Sequence, residues 1–367
     1  MRHFGGVKVH FGSGAAARLG GVLADLSATR VLVVRGRLSY ERSGAAAAID
    51  VIRDQVMVAE FTSHQPNPTV ADVADGLKVA RSHDPDTIVG IGGGSVLDLA
   101  KAIAALIDAD GEPIEYLTGR QPTGRRGLVL IPTTCGSGSE LTQFATLYAH
   151  GRKHSLDFPE GRADVAVVDP DLSASVPTTV AAAAKADALS HAVESYWSVA
   201  ATDESRALAW DAMTMLLPGT DHDQVAMGAA LAGAAINLTR TTAAHALSYA
   251  LTSKLGIPHG MAGALHMTWL IDHNAMVTEA DCAHPDGPEA VRKLVADTRR
   301  LCRESTGDDL PDLYRTLLAT GSQPLRLADL GLSAEWHEVW RAALGSFRGN
   351  NNPRVVTAED VDRRQHG

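Results

Sequence analysis

The chain has 367 residues and a formal net charge of −10, with 45% hydrophobic and 5% aromatic residues. That length suits two domains of ordinary size, and the acidic balance, with Lys and Arg scattered, argues against partners such as nucleic acid or an anionic membrane surface. Three widely spaced cysteines form no Cys-x-x-Cys pair and no even disulfide framework, which points to a reducing, cytoplasmic setting. The opening stretch has no signal-peptide pattern, and no apolar run is long enough for a membrane span.

Residues 7–11 alternate as a short strand closed by Gly12-Ser13-Gly14, and a helix is expected over 15–26. Residues 30–34 are a continuous apolar run of strand length, the mark of a buried parallel strand. Residues 44–53 read as helix and 57–61 as strand. The Pro66-Asn67-Pro68 break follows, then a helix over 70–82. A buried strand at 87–91 runs into Gly92-Gly93-Gly94-Ser95, followed by a helix over 96–107. Further strands are expected at 129–131, ending at Pro132, and at 165–168, ending at Asp169-Pro170. Strands alternating with helices predict a parallel α/β sheet. Beyond 178 the runs 179–199, 205–217 and 224–250 are Ala-rich with helical spacing, and no further strand is evident. The expected boundary falls at 172–178. It separates an α/β domain (1–174) from an all-helical domain (175–367).

Two loops follow strands of the sheet. In Gly92-Gly93-Gly94-Ser95 the glycines allow close backbone approach to an anion, and the helix start presents free N–H groups. Ser95 with Asp98 three residues later resembles a capping box. The loop reads either as a pyrophosphate cradle or as a tight strand–helix turn. The second loop, 132–140, carries Thr133, Thr134, Ser137 and Ser139 and suits hydrogen bonds to ribose or phosphate. Two such loops in one sheet favour a dinucleotide.

Asp187 and His191 are four apart, on one face of a helix. His245 and His259 are fourteen apart, about 21 Å along one straight helix, so the chain must bend to bring them together. Gly256 and Pro258 supply a helix stop and a turn before His259. One carboxylate and three imidazoles suit Fe²⁺ or Zn²⁺ with a position open for substrate. The competing reading is four ordinary polar helix residues.

With these motifs quoted, the chain resembles the iron-type (group III) metal-dependent alcohol dehydrogenases over nearly its whole length. The resemblance rests on Gly92 to Ser95 with Asp98 and Lys101, on 131–134 through Ser139-Glu140, on Val168-Asp169-Pro170, on Asp187 to Ala192, and on Pro258-His259-Gly260. It implies a dehydroquinate synthase-like architecture with the active site between the domains, and a homodimer. It also implies metal ligands at Asp187, His191, His245 and His259. Cofactor-binding positions would fall on Gly36, Arg37, Gly92, Gly93, Gly94, Ser95, Asp98, Thr133, Thr134, Ser137, Ser139 and Lys153, for NADP or NAD. The stretches 194–199, 241–249 and 351–354 look like the branch containing phosphonoacetaldehyde reductases, which make 2-hydroxyethylphosphonate. The expected partner is thus a small aldehyde or alcohol, with a phosphonate as one candidate. A sugar-phosphate cyclase of the dehydroquinate synthase type is the competing class, and a catalytically idle member a third.

Two departures from the family pattern stand out. Tyr249 occupies the position where many members carry a second histidine as proton relay, and a phenol is the poorer base at neutral pH. Gly36, between Arg35 and Arg37, replaces an acidic residue that disfavours a 2′-phosphate. Two guanidiniums there would accept NADPH, unless both simply face solvent. Lys185, Arg240 and Lys254 flank the ligand blocks and are candidate cations for an anionic substrate; Lys185 is also a candidate catalytic residue. His266 and His273 are expected to line the helical domain.

Overall fold

Residues 31–34, 87–91, 128–131 and 165–168 are buried throughout. Such runs require cover on both faces, and in the computed structural model of the protein they become adjacent strands. The structure describes residues 2–63, 67–150, 152–218 and 221–366. Pro66, part of the expected break, lies outside them.

The strands in chain order are β1 (Arg2–Phe4), β2 (Val7–Phe11), β3 (Arg30–Gly36), β4 (Met57–Ser63), β5 (Thr87–Gly92), β6 (Gly127–Pro132), β7 (Phe144–Ala149), β8 (Arg152–Asp157) and β9 (Val165–Val168). Seven form one sheet in the order β1-β2-β9-β6-β5-β3-β4. Every pairing in it is parallel except β1 with β2. The remaining two, β7 and β8, make an antiparallel hairpin. Neither β1 nor the hairpin was expected. β7 is buried on alternate residues only, and β8 reads Arg-Lys-His-Ser-Leu-Asp, so neither contains the apolar run that marks the sheet strands.

The helices of this half are α1 (Leu19–Asp25), α2 (Leu38–Arg42), α3 (Ala46–Asp50), α4 (Val70–His83), α5 (Gly94–Leu106) and α6 (Pro113–Leu117). The helix expected over 44–53 is short, and α2 precedes it. α4 has a full capping box, in which Thr69 Oγ1 accepts from Asp72 N and Asp72 accepts from Thr69 N.

The second half is helical: α7 (Thr178–Trp197), α8 (Asp203–Leu216), α9 (His222–Thr239), α10 (Ala243–Leu255), α11 (His259–Ala275), α12 (Gly287–Thr306), α13 (Leu310–Thr320), α14 (Trp336–Leu344), α15 (Phe347–Asn350) and α16 (Ala358–His366). α11 is almost wholly buried and packs on α7, α10 and α13. The single run expected over 224–250 is two helices. Arg240 takes φ +64°, which ends α9, and α10 then starts afresh at Ala243. Compact units divide the chain as Met1–Val176 with Asp221–Ala230, and Pro177–Thr220 with Leu231–Gly367. The segment Asp221–Ala230 thus groups with the first unit although it follows the expected boundary. Among the described residues no helix is long and apolar enough to cross a membrane.

Candidate active site

The sheet has one point where the strand order reverses. From β3 the chain goes outward to β4, then crosses back to β5, β6 and β9 on the other side. A reversal of this kind opens a crevice at the C-terminal strand ends, where α/β sheets bind nucleotides. Gly36 ends β3 there and Arg37 follows it, and Gly92 ends β5 with Gly93 to Ser95 after it. The second loop is the neighbour: Gly92 pairs with Pro132 in register, and Thr133 N donates to Gly92 O at 2.9 Å. A Cβ on Gly94 would sit 2.7 Å from Ser137 Oγ, and one on Gly93 3.4 Å from Thr134 Oγ1. Glycine at Gly94 is therefore what lets the two loops lie together.

Residues at this crevice fit a dinucleotide. α5 begins at Gly94 without a side-chain cap; Val96 N donates to Gly93 O at 2.9 Å, and the N–H groups of Gly94 and Ser95 at the helix start suit an external anion. Thr133 is buried, and its hydroxyl finds no protein partner among the described residues. The expected Ser95–Asp98 capping box does not form. Asp98 instead accepts from Ser139 Oγ at 2.6 Å and Thr146 N at 2.9 Å, while Ser95 Oγ accepts from Asn67 N at 3.3 Å. Lys101, fully buried, completes this brace by donating to Ser139 Oγ, Thr142 Oγ1 and Phe144 O at 2.7, 2.9 and 3.0 Å. Burial pushes its ammonium down to about 8, against the pull of Asp98 and Glu140. Asp98 and Ser139 therefore spend their side chains on holding the second loop to α5. Lys153 lies on β8 opposite Tyr148.

Arg35 does not face the crevice as a free cation. Its Nε meets Glu60 Oε2 at 2.5 Å and its guanidinium lies 4.6 Å from the Tyr40 ring centre. Of the two arginines expected to receive a 2′-phosphate, only the exposed Arg37 is left for it.

The helical unit gathers the other group. α7 carries Asp187, His191 and Glu194 at i, i+4 and i+7, one face of one helix. α10 brings His245, and Gly256 in the left-handed region (φ +70°) ends that helix. Pro258 then precedes α11, whose first residue is His259. The expected bend thus exists, and ligand-type atoms of Asp187, His245 and His259 all lie within 4.8 Å of one another. His245 Nε2 is 3.3 Å from Asp187 Oδ1 and His191 Nε2 is 3.8 Å from it. The His191 and His245 rings stack with centres 4.5 Å apart. Three of the four expected ligands, Asp187, His245 and His259, are brought together, and His191 lies beside them through Asp187 and the His245 ring.

Close approach of α11 to α7 depends on Gly260. A Cβ there would be 2.8 Å from Asp187 Cβ and would run into the carbonyl oxygen of Ala183. Two further contacts orient the rings. Glu194 Oε2 bonds His245 Nδ1. Glu194 Oε1 accepts from Thr242 Oγ1 at 2.6 Å, Thr242 N at 3.1 Å and Ala244 N at 3.0 Å. One carboxylate thus caps α10 and holds its imidazole. Ser248 Oγ donates to His245 O at 2.8 Å; with its proton so used, it accepts from His259 Nδ1 at 3.3 Å. In both rings Nδ1 has a partner, so Nε2 is the atom that would meet a metal.

Charge balance makes the same case. Asp187 and Glu194 are buried, and no lysine or arginine pairs with either among the described residues. Burial opposes ionisation of Asp187, but His191, His245 and His259 more than offset it and hold the carboxyl far below its usual range. Burial likewise opposes a charged His245, yet Glu194 and Asp187 pull it up to about 10. Two buried carboxylates call for positive charge, which a divalent cation at Asp187, His245 and His259, with His191 beside them, would supply.

Tyr249, one turn after His245 on α10, stacks on His259 with ring centres 5.5 Å apart. Lys185 is half-buried on α7, and burial lowers its ammonium. Glu194 was not picked out as an orienting group, although its i+7 spacing from Asp187 is a readable signal. Arg348, 5.7 Å from the Tyr249 ring centre, was also missed, since it is a hundred residues away in sequence. His266 and His273 are buried in the helical unit, as expected.

A parallel sheet with nucleotide loops at its switch point, together with a helical unit that gathers one carboxylate and three imidazoles, defines a metal-dependent nicotinamide dehydrogenase of dehydroquinate synthase-like architecture. Residues 6–170 match the family "Iron-containing alcohol dehydrogenase" and 181–363 match "Fe-containing alcohol dehydrogenase family, C-terminal"; the chain belongs to this family. It is 35% identical to a phosphonoacetaldehyde reductase of Streptomyces viridochromogenes, over 92% of this chain and 89% of that protein. It is 34% identical to long-chain-alcohol dehydrogenase 1 of Geobacillus thermodenitrificans, over 72% of this chain and 71% of that one. The crystal structure of sulfoacetaldehyde reductase from Bifidobacterium kashiwanohense, in complex with NAD+, superposes with a TM-score of 0.86 at 25% identity, covering 100% of this chain and 98% of that one. The protein is therefore an oxidoreductase acting on CH–OH groups with NAD or NADP and iron, and the cyclase and idle-protein readings fall away.

Proposed function

We propose that the protein reduces a short aldehyde carrying a terminal tetrahedral anion, with phosphonoacetaldehyde as the leading substrate and 2-hydroxyethylphosphonate as its product. The observation that carries this reading is the 35% identity to a phosphonoacetaldehyde reductase over almost the full length of both chains. The likeness to a sulfoacetaldehyde reductase supports it, because both named substrates are two-carbon aldehydes ending in an oxyanion.

Asp187, His191, His245 and His259 are the residues that would hold the metal, which when bound polarises the carbonyl of the substrate as a Lewis acid. The dinucleotide supplies hydride, and the first unit binds it through Gly92 to Ser95, Thr133, Thr134 and Ser137. Glu194 and Ser248 keep the Nε2 atoms of His245 and His259 turned to the metal side. The Tyr249 hydroxyl is the group of this chain that stands where the family relays a proton, and we assign it that role. Lys185, two residues before Asp187 on α7, is a further candidate cation for the substrate.

The test is a carbonyl panel with NADPH and NADH, run on protein loaded with Fe²⁺ or Zn²⁺. Phosphonoacetaldehyde should give the highest kcat/KM. A long-chain or uncharged aldehyde ahead of it would refute the substrate while leaving the family intact. His191→Ala and His259→Ala should lose bound metal, read by elemental analysis, together with turnover.

A further inference from the structure

We infer that Arg348 is the cation that receives the anionic end of the substrate. The inference rests on the anion-tailed aldehyde proposed above and names the residue that selects it. The Arg348 guanidinium lies 5.7 Å from the centre of the Tyr249 ring. That ring stacks at an interplanar angle of 23° on His259, whose ligand atom lies within 4.8 Å of those of Asp187 and His245. Arg348 therefore stands one aromatic ring away from the metal-binding cluster, on the side of Tyr249.

The backbone around Arg348 is fixed. α15 is capped by Ser346, whose Oγ accepts from Gly349 N at 3.2 Å. A Cβ on Gly349 would collide with the backbone of Leu344, so the turn into α15 is tight. Just after the helix, the buried Asn351 accepts from Ser198 Oγ at 2.9 Å and Ala200 N at 3.1 Å. Its amide donates to Thr239 O and Thr241 O at 2.9 and 3.1 Å. That single side chain ties α15 to the end of α7 and to the turn before α10, the two helices that carry Asp187 and His245.

The guanidinium itself is not committed. Among the described residues no carboxylate pairs with it, whereas several other arginines of the helical unit are engaged. Arg354 Nη2 meets Asp281 at 2.8 Å, Arg341 meets Glu338 at 3.1 Å, and Arg299 meets Asp272 at 2.7 Å. The other candidate cations fit less well. Arg240 donates to the carbonyl of Asn237, at the end of its own helix. Lys254 is exposed in the last turn of α10. Lys185 is a point charge, whereas a guanidinium offers a planar fork that grips two oxygens of a phosphonate or sulfonate at once. Cation–π contact with Tyr249 holds that fork without neutralising it.

Arg348→Gln and Arg348→Lys should be compared with wild type on three substrates: phosphonoacetaldehyde, sulfoacetaldehyde and propionaldehyde. In Arg348→Gln the ratio of kcat/KM for either anionic aldehyde to that for propionaldehyde should fall about 100-fold, mainly through KM, as expected for a lost charge-assisted bidentate contact. Arg348→Lys should recover part of it. The dianionic phosphonate should lose more than the monoanionic sulfonate. Metal content should stay at the wild-type level, which separates lost recognition from a collapsed centre. Equal losses on all three substrates, or an unchanged ratio, would overturn the inference. If wild type itself shows no preference for the anionic aldehydes, the proposed function fails with it. If wild type has the preference and Arg348→Gln keeps it, only the role of Arg348 is rejected.

Discussion

The Glu194 carboxylate bonds the His245 ring through one oxygen and the N-terminus of the helix carrying that ring through the other. Ring orientation and helix start are thereby one device. Glu194→Gln keeps the shape and can still accept from α10, but it turns an amide N–H toward Nδ1. That favours the tautomer with its proton on Nε2, which cannot bind a metal. We expect the metal affinity of Glu194→Gln to fall about 10–100-fold, the usual scale for such outer contacts. Competition with a chromophoric chelator would measure it, and wild-type retention would refute the role. Glu194→Ala also strands the buried donors of Thr242 and Ala244, and should destabilise the fold by about 1–3 kcal/mol.

Gly260 is the point at which α11 meets α7. Its missing Cβ leaves room for the Ala183 carbonyl and for Asp187 Cβ. Gly260→Ala must push the helices apart and carry His259 away from Asp187. Backbone atoms of α7 cannot swing aside as a side chain can. The expected result is loss of stoichiometric metal together with destabilisation of about 1–3 kcal/mol. Titrating metal into the apo variant and following its melting temperature tests both. A variant that binds metal as wild type does would show that the helices have slack there.

His266 is fully buried, and neither ring nitrogen finds a protein partner among the described residues. Trp269 and Trp340 pack against it edge-on, at 6.1 and 5.7 Å between centres. Burial pushes its pKa down to about 3, only weakly opposed by Glu194. The folded-state value lies below the unfolded one, so the unfolded chain binds the extra proton. Stability is full above the unfolded value, about 6.5, and is lost as pH falls toward 3. Between pH 6.5 and 5.5 this one residue should cost about 1 kcal/mol. His266→Leu should lose correspondingly less over that interval. Denaturant melts of wild type and variant with the same metal loading decide it; parallel pH profiles would refute the assignment.

How much could be read beforehand follows from the range of each signal. The β3, β5, β6 and β9 strands are legible because burial on both faces writes an unbroken apolar run. Asp187, His191 and the Gly256–Pro258 stop are legible because helical period and turn chemistry are local. The β7–β8 hairpin escaped because β8 is polar and pairs only with its neighbour. The division of 224–250 into α9 and α10 escaped because the break is made by Arg240 in a left-handed conformation and by Glu194, about fifty residues upstream. Arg35 was misjudged for the same reason: its partner Glu60 sits on a parallel strand, and register alone brings the two together. Contacts that depend on tertiary pairing leave no local trace.

We propose that cofactor choice turns on Arg37. Gly36 removes the acidic side chain that would repel a 2′-phosphate, while Arg35 is tied to Glu60 and lies over Tyr40. On this proposal the phosphate of NADPH would have one guanidinium to meet, not two. Glu60 is itself held ionised: burial pushes it up, but Arg35 and Arg53 more than offset that and keep it below its usual range. This fixed negative charge is balanced by its own arginines and leaves Arg37 to act alone. Arg37→Glu should raise KM for NADPH by about tenfold or more, the scale of one lost charge-assisted contact together with new repulsion. KM for NADH should stay within about twofold, because NADH carries no phosphate at that position. The same variant should weaken or invert the salt dependence of NADPH binding, since an exposed attraction is replaced by an exposed repulsion. Titrations with both cofactors at two ionic strengths read all three effects. Equal losses for NADH and NADPH would mean that Arg37 supports the loop after β3 rather than recognising phosphate.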